Sequence, residues 1–279
     1  MELAVIKNKL FEIGTIADEE WMKSLDDRKK NELTFHDLVR DGIHAESMKS
    51  ADTYEKWYGN EKFYGGIGLS KKYIEEWIRG HAKNRIFLDY ACGNGGYAVM
   101  AAKAGAELSI GIDISRISIE NAKHKATQAG VQKNTYFLQA DAENTKLPDG
   151  SIDAIVCSGM LHHLDLSYAF PELRRILSKD GKILAVEALD YNPAIKLYRR
   201  LTPKMRTEWE KTHILGFADL RFAKRFFRVG EIRYWHLTSI LSPYMKSALP
   251  VLNFMDGFLT RVPLLQLMAW MFSFELLKK

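Results

Sequence analysis

The sequence predicts an α/β fold in which a mostly parallel sheet carries helices on both faces. Three observations lead there. Between Arg85 and Leu189, short apolar runs alternate with longer stretches of helical period, as strand–helix–strand units require. A glycine-rich segment, Gly93-Asn94-Gly95-Gly96, follows the first apolar run. Asp89, Asp113 and Asp141 stand at the ends of the first three runs.

The elements follow in order. Arg85–Tyr90 reads as a buried strand, and Gly95–Ala104 as the helix after it. Leu108–Asp113 is a second strand, followed by a helix from Ser115 to Ala129. Ser115 suits the N-cap because its hydroxyl can accept an unpaired backbone N–H, and Gly130 suits the stop. Thr135–Ala140 is a third strand, Pro148-Asp149-Gly150 a turn, and Ile152–Cys157 a fourth strand. Leu166–Leu177 is a helix, Lys179-Asp180-Gly181 a turn, and Lys182–Glu187 a fifth strand. Val229–Leu237 alternates and is expected to return as an antiparallel strand at the sheet edge.

Three regions are expected: a helical cover over residues 1–75, a core over 76–240 with a substrate-side insertion near 190–228, and an apolar extension over 241–279. Tyr64-Gly65-Gly66 is read as a flexible joint in the cover, and Tyr64 as a core aromatic or a ring that can close over the site. Of the extension, Val262–Phe274 is broken only by Pro263, Gln266 and Ser273. It is shorter than the ~20 apolar residues a spanning helix needs, so burial in the protein's own core, interfacial lipid contact, a substrate cover or a homodimer seam are its expected uses.

Composition narrows the class. Hydrophobic residues make up 47% and charged residues 27%, enough apolar material for a globular core. The net charge of +5 is uneven: residues 190–279 carry 15 Lys and Arg against 7 Asp and Glu. The basic residues mix with aromatics around Arg221, Phe222, Lys224, Arg225, Phe226, Phe227 and Arg228, which reads as a solvated helix face or a surface for anions. No nucleic-acid module accompanies them, so nucleic acid is not an expected partner. Two cysteines, Cys92 and Cys157, argue for a reducing, cytoplasmic setting, with peripheral contact at the inner membrane face as the refinement. The N-terminal MELAVIKNKLFEIG lacks the pattern of a signal peptide, and no Cys/His cluster has metal-ligand spacing, so no metal is expected.

Ligands of doubly wound sheets sit beyond the carboxyl ends of the strands. A loop there needs glycines for a tight turn and close backbone approach, and Gly93, Gly95 and Gly96 meet that need. Asp113 is placed to accept from two ribose hydroxyls, Asp141 to meet an adenine amino group, and Asp89 to offer a carboxylate beside the loop. A nicotinamide dinucleotide is the rival ligand, since Gly93–Ala98 formally satisfies G-x-G-x-x-A and would make the chain an oxidoreductase. Against it, Asp89 would repel a pyrophosphate, Asp141 would have no task, and no hydride-transfer pair follows.

The combined series Leu88-Asp89-Tyr90-Ala91-Cys92-Gly93-Asn94-Gly95, Gly111-Ile112-Asp113-Ile114-Ser115, Asp141-Ala142-Glu143, Leu147-Pro148, Ser151-Ile152-Asp153, Leu161-His162-His163-Leu164 and Leu173–Leu177 before Asp180-Gly181 resembles the class I methyltransferases that use S-adenosylmethionine. The likeness is to their small-molecule branch, the ubiquinone and menaquinone type, and covers a little over a third of the chain. It implies a Rossmann-like, seven-stranded sheet and S-adenosylmethionine as cofactor. Asp89 and the Gly93–Gly95 backbone would hold the methionine part, Asp113 the ribose, and Asp141 with Ala142 the adenine. Ala91, Ile114 and Ser158 complete the expected cofactor contacts, Ala91 standing where glycine is commoner.

Methyl transfer from a sulfonium needs alignment and desolvation, and a base only if the acceptor must lose a proton. His162 and His163, after the fourth strand, and Glu187, ending the fifth, are the candidate catalytic groups. His213 and His236 are read as packing or surface residues. The expected acceptor is a small, hydrophobic or lipid-linked metabolite; a fold of this type that binds the cofactor without turnover is the non-enzymatic alternative.

Overall fold

The computed structural model describes residues 3–40, 61–203 and 206–279; the part of the cover over 41–60 lies outside them. Seven strands form one sheet: β1 (Ile86–Tyr90), β2 (Leu108–Asp113), β3 (Thr135–Gln139), β4 (Ile152–Ser158), β5 (Leu177–Ala188), β6 (Phe227–Trp235) and β7 (Met271–Lys278). Their order is β3-β2-β1-β4-β5-β7-β6. The first five are parallel, and β7 runs antiparallel to both β5 and β6.

The strand order departs from that of a dinucleotide-binding sheet, which classically runs 3-2-1-4-5-6 and is mostly parallel. Here a reversed strand enters between β5 and the edge. The alternating segment near Val229 is indeed the edge strand, but the reversed direction belongs to β7. That strand comes from the apolar region read as an extension: Phe272, Phe274 and Leu276 are buried, and of the polar residues between them Ser273 is buried and Glu275 half-buried. From Met271 on, the apolar stretch finds its burial in the sheet, whose backbone groups it also pairs. Trp77 Nε1 donates to Glu275 Oε1 at 2.8 Å, so even its charged residue is engaged.

The central strands are apolar on both sides because both sides are covered. Leu88 and Ile110 join one core layer with Phe170, Phe227 and Phe274, whereas Phe87, Val156 and Leu184 join another with Ile74, Trp77 and Ile78. The helix after β1, α6 (Gly96–Lys103), and that after β2, α7 (Arg116–Gln128), start beyond the carboxyl ends of their strands. Ser115 caps α7 as expected, accepting from Ser118 N–H at 3.1 Å. The helix α8 (Leu166–Ile176) runs directly into β5, and the expected turn at Lys179–Gly181 is absorbed as an irregularity of that strand, where the β4 register jumps from Ile152↔Leu177 to Ala154↔Lys182.

Before β1 come α1 (Leu3–Gly14), α2 (Asp18–Ser24), α3 (Asp27–Arg40), α4 (Glu61–Tyr64) and α5 (Gly68–His81). Ile6, Leu10 and Ile13 lie on one stripe of α1 and are buried in the main core. Each stabilises the docking by about 1.5–3 kcal/mol. Gly66 is a packing point rather than a joint, since a Cβ there would come within 2.4 Å of Ser242 Oγ and 2.8 Å of the Ser239 carbonyl. The remaining helices are α9 (Pro193–Leu201), α10 (Phe217–Ala223) and α11 (Leu249–Leu259). The basic-aromatic segment is no single amphipathic helix: it spans the end of α10 and the start of β6, where Phe222, Phe226 and Phe227 pack around Phe170. Among the described residues no helix is long and apolar enough to cross a membrane.

Candidate active site

The carboxyl ends of β1, β2 and β4 open into a cavity of about 200 Å3. Its walls include Asp89, Ala91, Cys92, Gly93, Tyr97, Asp113, Ile114, Asp141, Ala142, Ser158 and His163. Eight of the nine expected cofactor residues therefore face one space. Gly95 is the exception, and it acts through the backbone. Its φ of 70° and the 2.6 Å from a Cβ to that of Ala122 let only glycine start α6 so close to α7. Ala91 has φ 56° without being glycine, a left-handed conformation that costs roughly 1–2 kcal/mol.

Each aspartate is set by backbone donors. Asp113 Oδ2 accepts from Gly93 N–H at 2.8 Å and Oδ1 from Ser115 N–H at 2.9 Å, tying the glycine loop to the end of β2. Asp141 Oδ1 accepts from Glu143 N–H at 2.8 Å. Asp89 is only 3% exposed and is held by the backbone N–H groups of Ala98 and Tyr97. Burial pushes its carboxyl up to about 8; the two N–H bonds and Lys125 oppose this, and Asp113 adds to it. The Tyr97 phenol is likewise raised by burial, against its hydrogen bond with Ser158.

The far wall comes from α3, whose Arg28, Lys29, Glu32 and His36 follow one helix face into the cavity. Lys29 Nζ lies 2.7 Å from Asp141 Oδ2 and 3.0 Å from Glu143 Oε2. Arg28 donates to Glu143 Oε1 at 2.6 Å and to the His163 carbonyl at 3.0 Å, and stacks over Trp209. Asp37 accepts the Ser115 hydroxyl. None of these α3 residues was singled out by the sequence reading. Their four-residue spacing was visible, but a polar helix is ordinarily a solvated one.

The three candidate catalytic residues separate into two groups. Glu187 is fully buried. Its Oε1 accepts from the N–H groups of Met160 and Leu161 at 2.9 and 2.8 Å, and its Oε2 lies 2.7 Å from His162 Nδ1. The other ring nitrogen of His162 points to Glu210 Oε1 at 3.9 Å. His163 turns the other way, to Glu32 Oε2 at 3.0 Å. Around Glu210 stand Arg206, at 3.6 Å, and Tyr64. Tyr64 is 54% exposed; desolvation raises its phenol, Glu210 and Glu187 add to the effect and Arg206 opposes it. Burial also pushes the Glu210 carboxyl up and draws the Arg199 guanidinium down to about 10. His236 is a core residue between Ser239 and Ser70, lowered to about 4 by burial and hence neutral; His213 is exposed and stacks on Trp209.

A family profile described as a methyltransferase domain matches residues 88–185. The chain is 35% identical over 188 residues to YcgJ of Bacillus subtilis (strain 168), described as an uncharacterized methyltransferase, an alignment covering 64% of this chain and 71% of that one. This chain belongs to the class I S-adenosylmethionine-dependent methyltransferases. It is also 34% identical over 97 residues to the 27-O-demethylrifamycin SV methyltransferase of Amycolatopsis mediterranei, which covers 34% of this chain and 36% of that one. Its fold is that of the geranyl diphosphate C-methyltransferase of Streptomyces coelicolor A3(2), solved with Mg2+, geranyl diphosphate and S-adenosyl-L-homocysteine: TM-score 0.61 at 13% identity, covering 91% of this chain and 99% of that one. The oxidoreductase alternative is thereby excluded, and S-adenosylmethionine is the methyltransferase's cofactor. The donor set suits it. A buried carboxylate facing the cavity awaits an ammonium, and carboxylates at the ends of β2 and beyond β3 suit a nucleoside.

Proposed function

We propose that this methyltransferase transfers a methyl group to a small, hydrophobic or lipid-linked acceptor, and that His162, held by Glu187, removes the acceptor's proton. The observation that carries the reading is the His162–Glu187 pair at the carboxyl end of the sheet, beside the cavity of the cofactor carboxylates. When bound, S-adenosylmethionine supplies an electrophilic methyl group on a sulfonium. Asp89 would hold its ammonium, Asp113 its ribose hydroxyls, and Asp141 with Ala142 its adenine, with Ala91, Gly93, Ile114 and Ser158 lining the same space. Lys29 now occupies one oxygen of Asp141, so adenine binding requires that side chain to withdraw. Glu187 takes the Nδ1 proton of His162 in a hydrogen bond, which leaves Nε2 as the accepting nitrogen. Met160 and Leu161 N–H fix the carboxylate, and Nε2 faces Glu210, beside which Arg206 stands.

The small-molecule acceptor is supported by the relatives, whose names give rifamycin and geranyl diphosphate substrates. Calorimetry with S-adenosylhomocysteine tests the cofactor assignment. We expect micromolar binding, weakened about tenfold in Asp113→Asn because charge-assisted bonds exceed neutral ones. NAD(H) should give no heat. An unchanged affinity in the variant would remove Asp113 from the site.

A second feature supports peripheral membrane contact. Val251, Phe254 and Phe258 on α11, with Leu264 beyond it, are 60–82% exposed, and Lys246 and Arg261 flank them. An amphipathic face of this kind rests at the headgroup boundary, with basic residues on anionic lipid. Affinity for vesicles containing phosphatidylserine, read by cosedimentation, should fall about a hundredfold or more in Phe254→Ser/Phe258→Ser, since burying each ring contributes about 1.5–3 kcal/mol. A variant that sediments like the parent, or a parent that stays in solution as a dimer, would exclude lipid as the occupant.

A further inference from the structure

The cavity holds a cluster to which proton removal by His162 assigns no task. Glu32 and His36, one turn apart on α3, meet His163 from the short turn Leu161–His163 that follows β4. Their candidate ligand atoms all lie within 4.8 Å of one another. Glu32 Oε2 is 3.0 Å from His163 Nδ1 and 3.7 Å from His36 Nε2, and the two rings meet edge to face at 4.9 Å. These spans match donor atoms around one ion at about 2.0–2.2 Å from each. The other oxygen of Glu32 accepts the Thr207 hydroxyl, which fixes the carboxylate as outer-shell partners fix a ligand. Glu32 is 4% exposed, and all three residues line the cavity. The neighbouring cations do not oppose a dication at full strength, because Arg28 and Lys29 are paired with Glu143 and Asp141.

We propose that Glu32, His36 and His163 form a binding site for a first-row divalent transition-metal ion, whose remaining coordination positions open into the cavity. Two imidazoles and one carboxylate are the donors of Zn2+, Co2+ or Fe2+, whereas Mg2+ prefers oxygen alone. Coordination through His163 Nδ1 requires its proton on Nε2, the tautomer opposite to that of His162. An anionic oxygen of the acceptor would complete the coordination sphere next to the methyl donor. That last role rests on the methyltransferase reading, whereas the metal site does not.

The test is titration of the chelator-treated chain with Co2+, read by visible absorption and calorimetry, with S-adenosylhomocysteine binding measured on the same samples. The expected result is one Co2+ per chain with ligand-field bands, no such response to Mg2+, and binding weakened about a hundredfold in Glu32→Gln and in His36→Gln. The His36 side chain is less buried than that of Glu32, 19% against 6% exposed, so His36→Gln keeps the test open if the buried Glu32 variant fails to fold. Absence of ligand-field bands, or equal Co2+ affinity in parent and His36→Gln, would leave an ordinary Glu–His hydrogen-bond cluster and overturn the site. Loss of S-adenosylhomocysteine binding with Co2+ binding intact would instead overturn the cofactor assignment and leave the metal site standing.

Discussion

Glu187→Gln is expected to slow methyl transfer a hundredfold or more while S-adenosylhomocysteine binds as to the parent. The glutamate at this position performs two tasks with its two oxygens. Oε1 accepts the Met160 and Leu161 N–H groups, and Oε2 meets His162 Nδ1 at 2.7 Å. Glutamine keeps the first task through its carbonyl. Its NH2 then faces Nδ1 as a donor, so the ring must carry its proton on Nε2, where it can no longer accept one from the acceptor. A positioned base contributes about 10²–10⁴-fold, and that is the part lost. His162→Gln should lose a similar amount, and the double variant little more, because the two act as one unit. The measurement is S-adenosylhomocysteine release with an acceptor found by screening lipophilic phenols and alcohols. A merely structural Glu187 would alter melting without removing the pH dependence of kcat; an unchanged kcat in both single variants would show that the acceptor needs no base.

S-Adenosylhomocysteine is expected to expel about 0.9 proton on binding near neutral pH, because Asp89 must ionise to meet the ligand's ammonium. Its carboxyl is held up to about 8 by burial, with Asp113 adding to the effect and Lys125 opposing it. Below that value, affinity should fall about tenfold per pH unit; above it, affinity should level off. Calorimetry in buffers of different ionisation enthalpy counts the proton directly. Asp89→Asn should bind about a hundredfold more weakly in mild alkali and with little pH dependence, so that the gap to the parent narrows as pH falls. Stability moves the opposite way. The folded carboxyl binds its proton more tightly than the unfolded one, whose ordinary value is 3.8, so this stabilisation is complete below 3.8 and is lost as pH rises through 8. The ligand-free asparagine variant should therefore be more stable than the parent in mild alkali, on the order of a few kcal/mol. Binding without proton release, or an asparagine variant that binds like the parent, would place the ammonium elsewhere.

Both expectations turn on residues that were legible before any fold was known. Asp89, Asp113 and Asp141 could be read because each follows a short apolar run, and a parallel sheet brings the ends of consecutive strands together. Gly93 and Gly95 could be read because backbone conformation there excludes side chains. His162 and Glu187 were candidates on similar grounds, but their hydrogen bond was not, because two adjacent strands had first to be brought into register.

The residues that were not legible lie in the cover and at the C-terminal end. Arg28, Lys29, Glu32 and His36 carry charge along a helix of low hydropathy, and local pattern assigns such a face to solvent. Glu210 and Arg206 sit in the insertion, far in sequence from His162. Val262–Phe274 was read by its apolar content alone, and only its second part, Met271 onward, proves to be strand. The alternation of Phe272, Phe274 and Leu276 with Ser273 and Glu275 was the available signal, hidden by an apolar run on its N-terminal side.

By itself, then, the sequence determined the strand–helix order from β1 to β5, the glycine loop and the three carboxylates. These depend on local periodicity and on neighbours that the chain direction brings together. Tertiary structure alone decided that β7 enters between β5 and β6, that α3 closes the cavity, and that His162 and His163 serve different partners. Those outcomes depend on contacts between segments as much as 198 residues apart, as from Trp77 to Glu275. Their energy comes from burial and pairing that no local stretch of sequence contains.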